Sequence, residues 1–248
     1  MRSSASSRRS MKVRHSGLNC SRHRSRKIWK RKMKKSEPWL AGTDFVFHEP
    51  ADCFHVNSDT YLLGSFLRLK HNDTVLDIGT NTGALLLYAS LFQPQKLIGV
   101  DINEKAIEQA AVNLKDNGVS AELFTMPVQQ LNIPAVSAIV CNPPYFDSRQ
   151  MTKAGSEGTA RADGTLGMQD LFASTRRLLK DHGKLFLVQR PRQLENILLE
   201  ASQVHLHLTR MCFAYDRPGG RAKTVLLEFC RNVAPELEVM EPVYLNAK

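Results

Sequence analysis

Three short stretches of this chain carry residue types that could do chemistry. The most telling is Asn142-Pro143-Pro144-Tyr145, directly behind the apolar run Ser137-Ala138-Ile139-Val140-Cys141. Two consecutive prolines have no backbone N–H and fix φ, so a strand ending at Cys141 must leave its sheet as a stiff extended turn. Such a turn presents acceptors without competing donors, namely the Asn142 side-chain oxygen and the Pro143 carbonyl, with the aromatic face of Tyr145 just beyond. Two acceptors and a flat platform suit a planar substrate with an exocyclic NH₂, such as an adenine amino group. A proline-rich loop behind a strand is common, so the tetrapeptide gains meaning only from its place beside the other two stretches.

The second stretch is Asp77-x-Gly79-x-Asn81-x-Gly83, between the β-rich run Thr74–Ile78 and an apolar helix. A glycine loop in that position brings backbone N–H groups close to a ligand. Asn81 stands where many such loops have glycine, and Asn is the non-glycine residue best able to take a positive φ. No lysine follows Gly83, which excludes a phosphate loop, and the spacing differs from the dinucleotide fingerprint G-x-G-x-x-G. The third stretch is Asp101, which ends the strand Leu97–Asp101, 18 residues after Gly83. A carboxylate there can take ribose hydroxyls. Asp77, Asp101 and Asn142 all fall at carboxyl ends of expected strands, and in an open parallel sheet those ends line one crevice.

The elements that must position them follow from the pattern. Residues Trp39 to Phe54 read as an irregular lead-in or short hairpin. Ser58-Asp59 is expected to cap a helix carrying Leu62, Leu63, Phe66 and Leu67 at helical spacing. Helices are predicted over Ala84–Phe92 and over Glu104–Asn117, the latter capped by Asn103 and closed by Gly118. Ala121–Thr125 and Ser137–Cys141 are strands three and four. Phe146–Leu166, polar and carrying Gly155, Gly158 and Gly164, reads as a long loop. A helix over Met168–Lys180, a strand over Lys184–Arg190 and a helix opened by Pro191 follow. Two last strands flank Asp216-Arg217-Pro218-Gly219-Gly220 as an antiparallel hairpin. This alternation predicts an α/β fold: a Rossmann-like, doubly wound, mostly parallel seven-stranded sheet with a C-terminal antiparallel hairpin.

The 248 residues suffice for one α/β domain with a full core. The net charge of +10 is a property of one end: Met1–Lys35 holds 14 Lys and Arg and no acid, and the remainder is −4. Residues 1–35 are therefore expected as a basic disordered tail, residues 36–235 as the domain, and residues 236–248 as a C-terminal tail. Sequence upstream of a later start at Met33 or Met11 fits the basic stretch best. A nucleic-acid arm is the second reading and a transit peptide the third. The five cysteines, Cys20, Cys53, Cys141, Cys212 and Cys230, are scattered with no C-x-x-C and no zinc spacing, so no metal is expected. No apolar stretch is long enough to span a membrane and no secretory signal is present, which points to a cytoplasmic protein.

Together these features resemble class I S-adenosylmethionine-dependent methyltransferases, and Asn-Pro-Pro-Tyr resembles the motif of those acting on exocyclic or amide nitrogen. The resemblance runs from about Phe54 to Asn232. Asp77-Ile-Gly-Thr-Asn-Thr-Gly-Ala-Leu-Leu-Leu-Tyr-Ala-Ser90, Cys141-Asn-Pro-Pro-Tyr-Phe146 and Ala222-Lys-Thr-Val-Leu-Leu-Glu228 are similar to the bacterial family that methylates adenine N6 in valine tRNA, next to the anticodon. The resemblance implies S-adenosyl-L-methionine as cofactor, held by Asp77, Gly79, Asn81, Gly83, Asp101, Ile102, Met126, Val128 and Asn142. It implies Asn142, Pro143 and Tyr145 at the reacting amine, and tRNA as partner. Many class I enzymes carry an acid just after strand three to hold the cofactor adenine. Thr125-Met126-Pro127-Val128 has none, so backbone groups, Met126, Val128 or Gln129 must serve.

Arg149, Lys153, Arg161, Arg190, Arg192, Arg217, Arg221 and Lys223 are expected near the pocket mouth and form the candidate RNA surface. For any one of them, plain solvation is the commoner role. A protein glutamine N5-methyltransferase is the main alternative, though at most about forty folded residues precede the first strand, against the separate N-terminal helical domain usual in that class. A non-catalytic RNA-binding module would have lost the residues that are intact here. A nicotinamide dehydrogenase lacks an evident catalytic Tyr-x-x-x-Lys or His–acid pair. The sequence leaves the oligomeric state open, a monomer included.

Overall fold

Strand β1 (Thr74–Ile78) runs through the middle of the molecule because Val75, Leu76 and Ile78 are apolar on both faces, as a central parallel strand must be. The structure is a computed structural model describing residues 40–50, 53–143 and 166–246. Helix α1 (Ser58–Phe66) precedes β1, which is followed by α2 (Ala84–Ser90), β2 (Lys96–Asp101), α3 (Glu104–Asp116), β3 (Glu122–Thr125) and β4 (Val136–Cys141). After residue 166 come α4 (Met168–Leu178), β5 (Leu179–Gln189), a 3₁₀ turn at Pro191–Gln193, α5 (Leu194–Gln203), β6 (Leu206–Tyr215) and β7 (Ala222–Arg231). Two short strands, β8 (Glu238–Val239) and β9 (Val243–Tyr244), close the chain.

The sheet order is β3-β2-β1-β4-β5-β7-β6-β8, with β9 also on β6. Strands β3 to β5 in that order are parallel, and β7 is antiparallel to both β5 and β6. The doubly wound sheet and its C-terminal antiparallel pair are thus as expected, but the strand count is nine, not seven. The boundary expected at residue 235 also gives way. Glu238 and Val239 pair with Arg210 and Met211, and Val243 and Tyr244 pair with Ala214 and Tyr215. Each of these strands is two residues long between Pro235, Pro242 and polar neighbours, too short to show a period.

Two element boundaries also differ from expectation. The cap of α1 is Asn57, whose side chain accepts from the N–H groups of Asp59 and Thr60, so Ser58 is already helical. Strand β5 begins at Leu179, directly behind α4. The helix expected to reach Lys180 ends at Leu178, and the register with β4 jumps from Val136–Leu179 to Ala138–Lys184, so the polar residues Lys180 to Gly183 form a bulge. The lead-in over residues 40–50 is irregular, as expected: a turn closed by Leu40 N–H to Phe45 O, then a segment fixed by Asn113 of α3 and by Asn117 at its end. Asn117 Oδ1 accepts Val46 N–H at 2.9 Å and Asn113 Oδ1 accepts His48 N–H at 3.0 Å.

Each sheet face is covered by its own helices. Leu62, Leu63 and Phe66 of α1 and Leu85, Leu86 and Leu87 of α2 pack with Val75, Val140 and Phe186 on one face. Leu171 and Phe172 of α4 and Ile197 and Ala201 of α5 pack with Leu76, Ile78 and Ile139 on the other. Helices α1 and α2 meet at Gly64, where a Cβ would sit 2.3 Å from the Tyr88 ring, so no larger residue permits this crossing. The Tyr88 hydroxyl donates to the Ala41 carbonyl at 2.6 Å, tying the lead-in to the same contact.

A charged cluster lies within the C-terminal half. Arg210 is 3% exposed and Glu228 4%. Arg210 donates to Glu228 and to the Phe66 carbonyl at the end of α1, its guanidinium stacks 3.7 Å over the Phe66 ring, and Lys184 donates to Glu228 from β5. The cluster locks α1 to β5, β6 and β7.

Candidate active site

The order of the sheet reverses between β1 and β4, and that is where an open α/β sheet leaves a crevice outside its carboxyl ends. Register brings Asp77 beside Val140 and Ile78 beside Cys141, so the loops after β1 and β4 leave the sheet side by side. Asp101, at the end of β2, is one strand further out.

Asp77 is buried within β1. Its Oδ2 accepts the Thr80 hydroxyl at 2.8 Å, while its Oδ1, also buried, has no hydrogen-bond partner among the described residues. Burial pushes its carboxyl up to about 7, opposed by the Thr80 hydrogen bond and reinforced by the negative charge of Asp101. The sign for stability follows directly. Between about pH 4 and about pH 7 the folded protein holds a proton that the unfolded chain has released, so stability falls as pH rises through that window and levels above it. Asp77→Asn is expected to flatten this slope. Thermal melts of the two proteins without ligand at pH 5, 6, 7 and 8 should show the variant gaining on wild type as pH rises, and a constant difference would refute it.

The glycine loop is held from β2. Gly79 and Thr80 donate to the Val100 carbonyl, and the Asn81 N–H donates to Asp101 Oδ2 at 2.8 Å. Asn81 has φ 47°, the left-handed conformation expected of it, and its side-chain amide donates to the Phe54 carbonyl. Gly83, with φ 85°, starts α2 where a Cβ would stand 3.2 Å from Ala110. At Gly79, φ 72°, a Cβ would meet nothing within 4 Å, so the loop is open on that side.

Asp101 Oδ1 accepts the Asn103 N–H at 3.0 Å, so both its oxygens are oriented by backbone donors and each keeps lone pairs for a ligand hydroxyl. Ile102, beside it, is 50% exposed, and Met126, whose N–H bonds to the Asp101 carbonyl, is half-buried. Val128 differs from these two. It is buried in the core under β2 and β4, and its carbonyl accepts Arg177. Apolar surface at this end therefore comes from Ile102 and Met126. An open loop, an oriented carboxylate, exposed apolar side chains and a buried carboxylate oxygen without a partner fit a ligand carrying a ribose and a cationic or N–H group. Asp101→Ala is expected to weaken binding of S-adenosyl-L-methionine by about 1.5–3 kcal/mol, the worth of a hydrogen bond to a charged group. Unchanged affinity in calorimetry would remove Asp101 from the site.

Asn142 follows β4 on the α1 side. Its Nδ2 donates to the Thr60 hydroxyl at 3.0 Å, and among the described residues nothing donates to its Oδ1. Pro143 behind it is buried. Pro144 and Tyr145 lie outside the described residues, as do Arg149, Lys153 and Arg161. Of the remaining basic candidates, Arg190 is drawn inward, paired with buried Asp59 at 3.3 Å and donating to Thr224 and the Lys223 carbonyl. Lys223 pairs with Asp216 at the surface, and Arg192, Arg217 and Arg221 are exposed. Because Gln189 pairs with Val225 and Tyr215 with Ala222, the 216–221 turn stands at the same end of the sheet as the crevice. Sequence reasoning missed the contributions of Phe54, Thr60 and Thr80. Only Thr80, inside the glycine loop, carried a sequence signal.

No helix among the described residues is long and apolar enough to cross a membrane, and none of their His, Cys, Asp and Glu side chains form a group of three that could hold a metal ion. Cys53, Cys141, Cys212 and Cys230 are buried and joined in no disulfide among the described residues.

The comparisons with known proteins agree with this geometry. The family model described as methyltransferase small domain matches residues 53–209. A tRNA1(Val) (adenine(37)-N6)-methyltransferase of Vibrio vulnificus (strain YJ016) is 33% identical over 187 residues, 74% of this chain and 78% of that protein. One from Phocaeicola vulgatus is 28% identical over 196 residues, 77% of this chain and 83% of the relative. Among solved structures, a ribosomal protein L11 methylase from Lactobacillus delbrueckii subsp. bulgaricus matches with TM-score 0.58 at 16% identity, over 81% of this chain and 92% of that one. At that identity the likeness concerns the fold. With the glycine loop, the strand-two acid and the Asn-Pro turn all converging on the switch point, the chain belongs to the methyltransferase small-domain family, and to the tRNA1(Val) (adenine(37)-N6)-methyltransferases within it.

Proposed function

We propose that this protein transfers a methyl group from S-adenosyl-L-methionine to the exocyclic N6 of an adenine in tRNA, next to the anticodon, in the cytoplasm. The observation that carries the reading is the Asn142 carboxamide at the switch point, with its amide end taken by Thr60 and its Oδ1 free among the described residues. When bound, the cofactor would supply an electrophilic methyl group on a sulfonium, whose C–S bond breaks to leave a neutral thioether. An adenine amino nitrogen is a poor nucleophile because its lone pair is delocalised into the ring. Asn142 Oδ1 and the Pro143 carbonyl accept its two N–H bonds and favour a more tetrahedral nitrogen, with the lone pair directed at the methyl. Positive charge then develops on that nitrogen, and the two fixed acceptors stabilise it before a proton passes to water. Tyr145 supplies the stacking face for the extruded base. An anticodon-loop base is partly unpaired, which lowers the cost of about a few kcal/mol for extrusion.

The exposed Arg192, Arg217, Arg221 and Lys223 are the RNA contacts among the described residues, with Arg190 bracing Lys223 through its carbonyl, and Arg149, Lys153 and Arg161 are assigned the same role from their charge. The test is to incubate the protein with labelled S-adenosyl-L-methionine and bulk tRNA and identify the modified nucleoside by mass spectrometry. N6-methyladenosine beside the anticodon is the expected product. Label on another nucleoside, or on a protein glutamine instead of RNA, would overturn the reading.

A further inference from the structure

We infer that Thr60 is a positioning residue for methyl transfer, holding the Asn142 carboxamide in place against the substrate; the inference rests on the function proposed above. A carboxamide free to swing on its side chain presents its acceptor to the amine for only part of the time. A hydrogen bond from its other end to a fixed partner keeps it in place. The Thr60 hydroxyl, 3.0 Å from Asn142 Nδ2, is that partner.

Thr60 is itself held. It is buried in the first turn of α1, and its N–H donates to the Asn57 cap. Its neighbour Asp59, buried as well, accepts the Thr224 hydroxyl of β7 at 2.7 Å and pairs with Arg190 at the end of β5. The first turn of α1 is therefore tied to β5 and β7 through Asp59 and touches the turn after β4 through Thr60. The hydroxyl that meets Asn142 hangs from a helix end anchored on two other strands. A serine could make the same bond, and a valine has the shape without it.

The experiment compares Thr60→Val, Thr60→Ser and Asn142→Ala, singly and with Thr60→Val and Asn142→Ala combined, in single-turnover methylation of tRNA. Thr60→Val is expected to slow transfer about 3- to 10-fold, the effect of one neutral hydrogen bond, with Thr60→Ser close to wild type. In the Asn142→Ala background Thr60→Val should cost nothing further, because the group it orients is gone. Cofactor affinity and melting temperature should stay within about the scatter of a surface substitution. A spectroscopic readout is independent of turnover. The Asn142 side-chain ¹⁵NH₂ signal, identified by its loss in Asn142→Ala, should shift and exchange faster with water in Thr60→Val. Additive effects in the double variant, or an unmoved ¹⁵NH₂ signal, would overturn the role of Thr60. If Asn142→Ala alone leaves the rate intact, the reading of the reaction fails instead.

Discussion

Replacing Asn142 by alanine is expected to slow methyl transfer to tRNA by about 10²–10³-fold, the scale of losing one preorganised acceptor or donor at a transition state. The substitution removes the side-chain acceptor and keeps both prolines, so the turn persists. Asn142 is one of the expected cofactor contacts, but Asp77, the glycine loop and Asp101 stand on β1 and β2 and are untouched by the change, so cofactor affinity should fall far less than the rate. RNA affinity should also hold, since phosphate contacts dominate it. The loss should therefore lie in the single-turnover rate with cofactor and tRNA saturating, not in KM. Near wild-type turnover would make Asn142 a turn residue only and would remove the main argument for an amine as the reacting group.

The largest expected effect on stability is at Glu228. Burial pushes its carboxyl up, but the Arg210 guanidinium and the Lys184 ammonium outweigh that and hold it below the usual carboxylate range. Arg210 is lowered, burial being the main cause. Glu228→Ala takes the carboxylate from the buried Arg210 cation and leaves it the Phe66 carbonyl and ring and the Met240 sulfur, which costs about 3–5 kcal/mol. For a chain of this size that corresponds to a fall in melting temperature of about 10 °C or more. Because the folded carboxyl is depressed, its stabilisation is present above the unfolded value near pH 4 and is lost only as pH falls through the lower, folded value. The gap between wild type and Glu228→Gln should thus persist from pH 8 to pH 5 and close on further acidification. A melt of Glu228→Ala within about 2 °C of wild type would show that the cluster stabilises little. Combining Arg210→Met with Glu228→Leu should recover much of the loss, as apolar replacement of a buried pair often does.

Much of the site could be read from local patterns. Asp77, Gly79, Asn81 and Gly83 lie within seven residues whose meaning depends only on following one strand and preceding one helix, and Asn81 takes the left-handed conformation read from its type. Asp101 and Asn142 were found in the same way, as polar residues ending apolar runs. The alternation of runs from β1 to β5 gave the doubly wound sheet, because buried parallel strands need continuous apolar sequence on both faces.

Other features depend on residues far apart in the chain. Thr60 meets Asn142 across 82 positions, and Thr224 meets Asp59 across 165. A threonine one turn into a helix has no local mark that it will face a catalytic turn. Arg190 is a basic residue at a strand end like its neighbours, and only its packing against buried Asp59 separates it from the exposed Arg192. Arg210 and Glu228 looked like ordinary strand positions until β6 and β7 paired and α1 covered them. β8 and β9 have no period of their own and exist as strands because β6 offers them an edge. The sequence by itself determined the parallel part of the sheet, the conformation of the glycine loop and most residues able to do chemistry, since propensity, backbone conformation and burial pattern act over a few neighbours. The tertiary structure alone decided which polar side chains are partnered. Desolvation and hydrogen-bond geometry are properties of the surroundings, and those are assembled from segments the sequence does not place side by side.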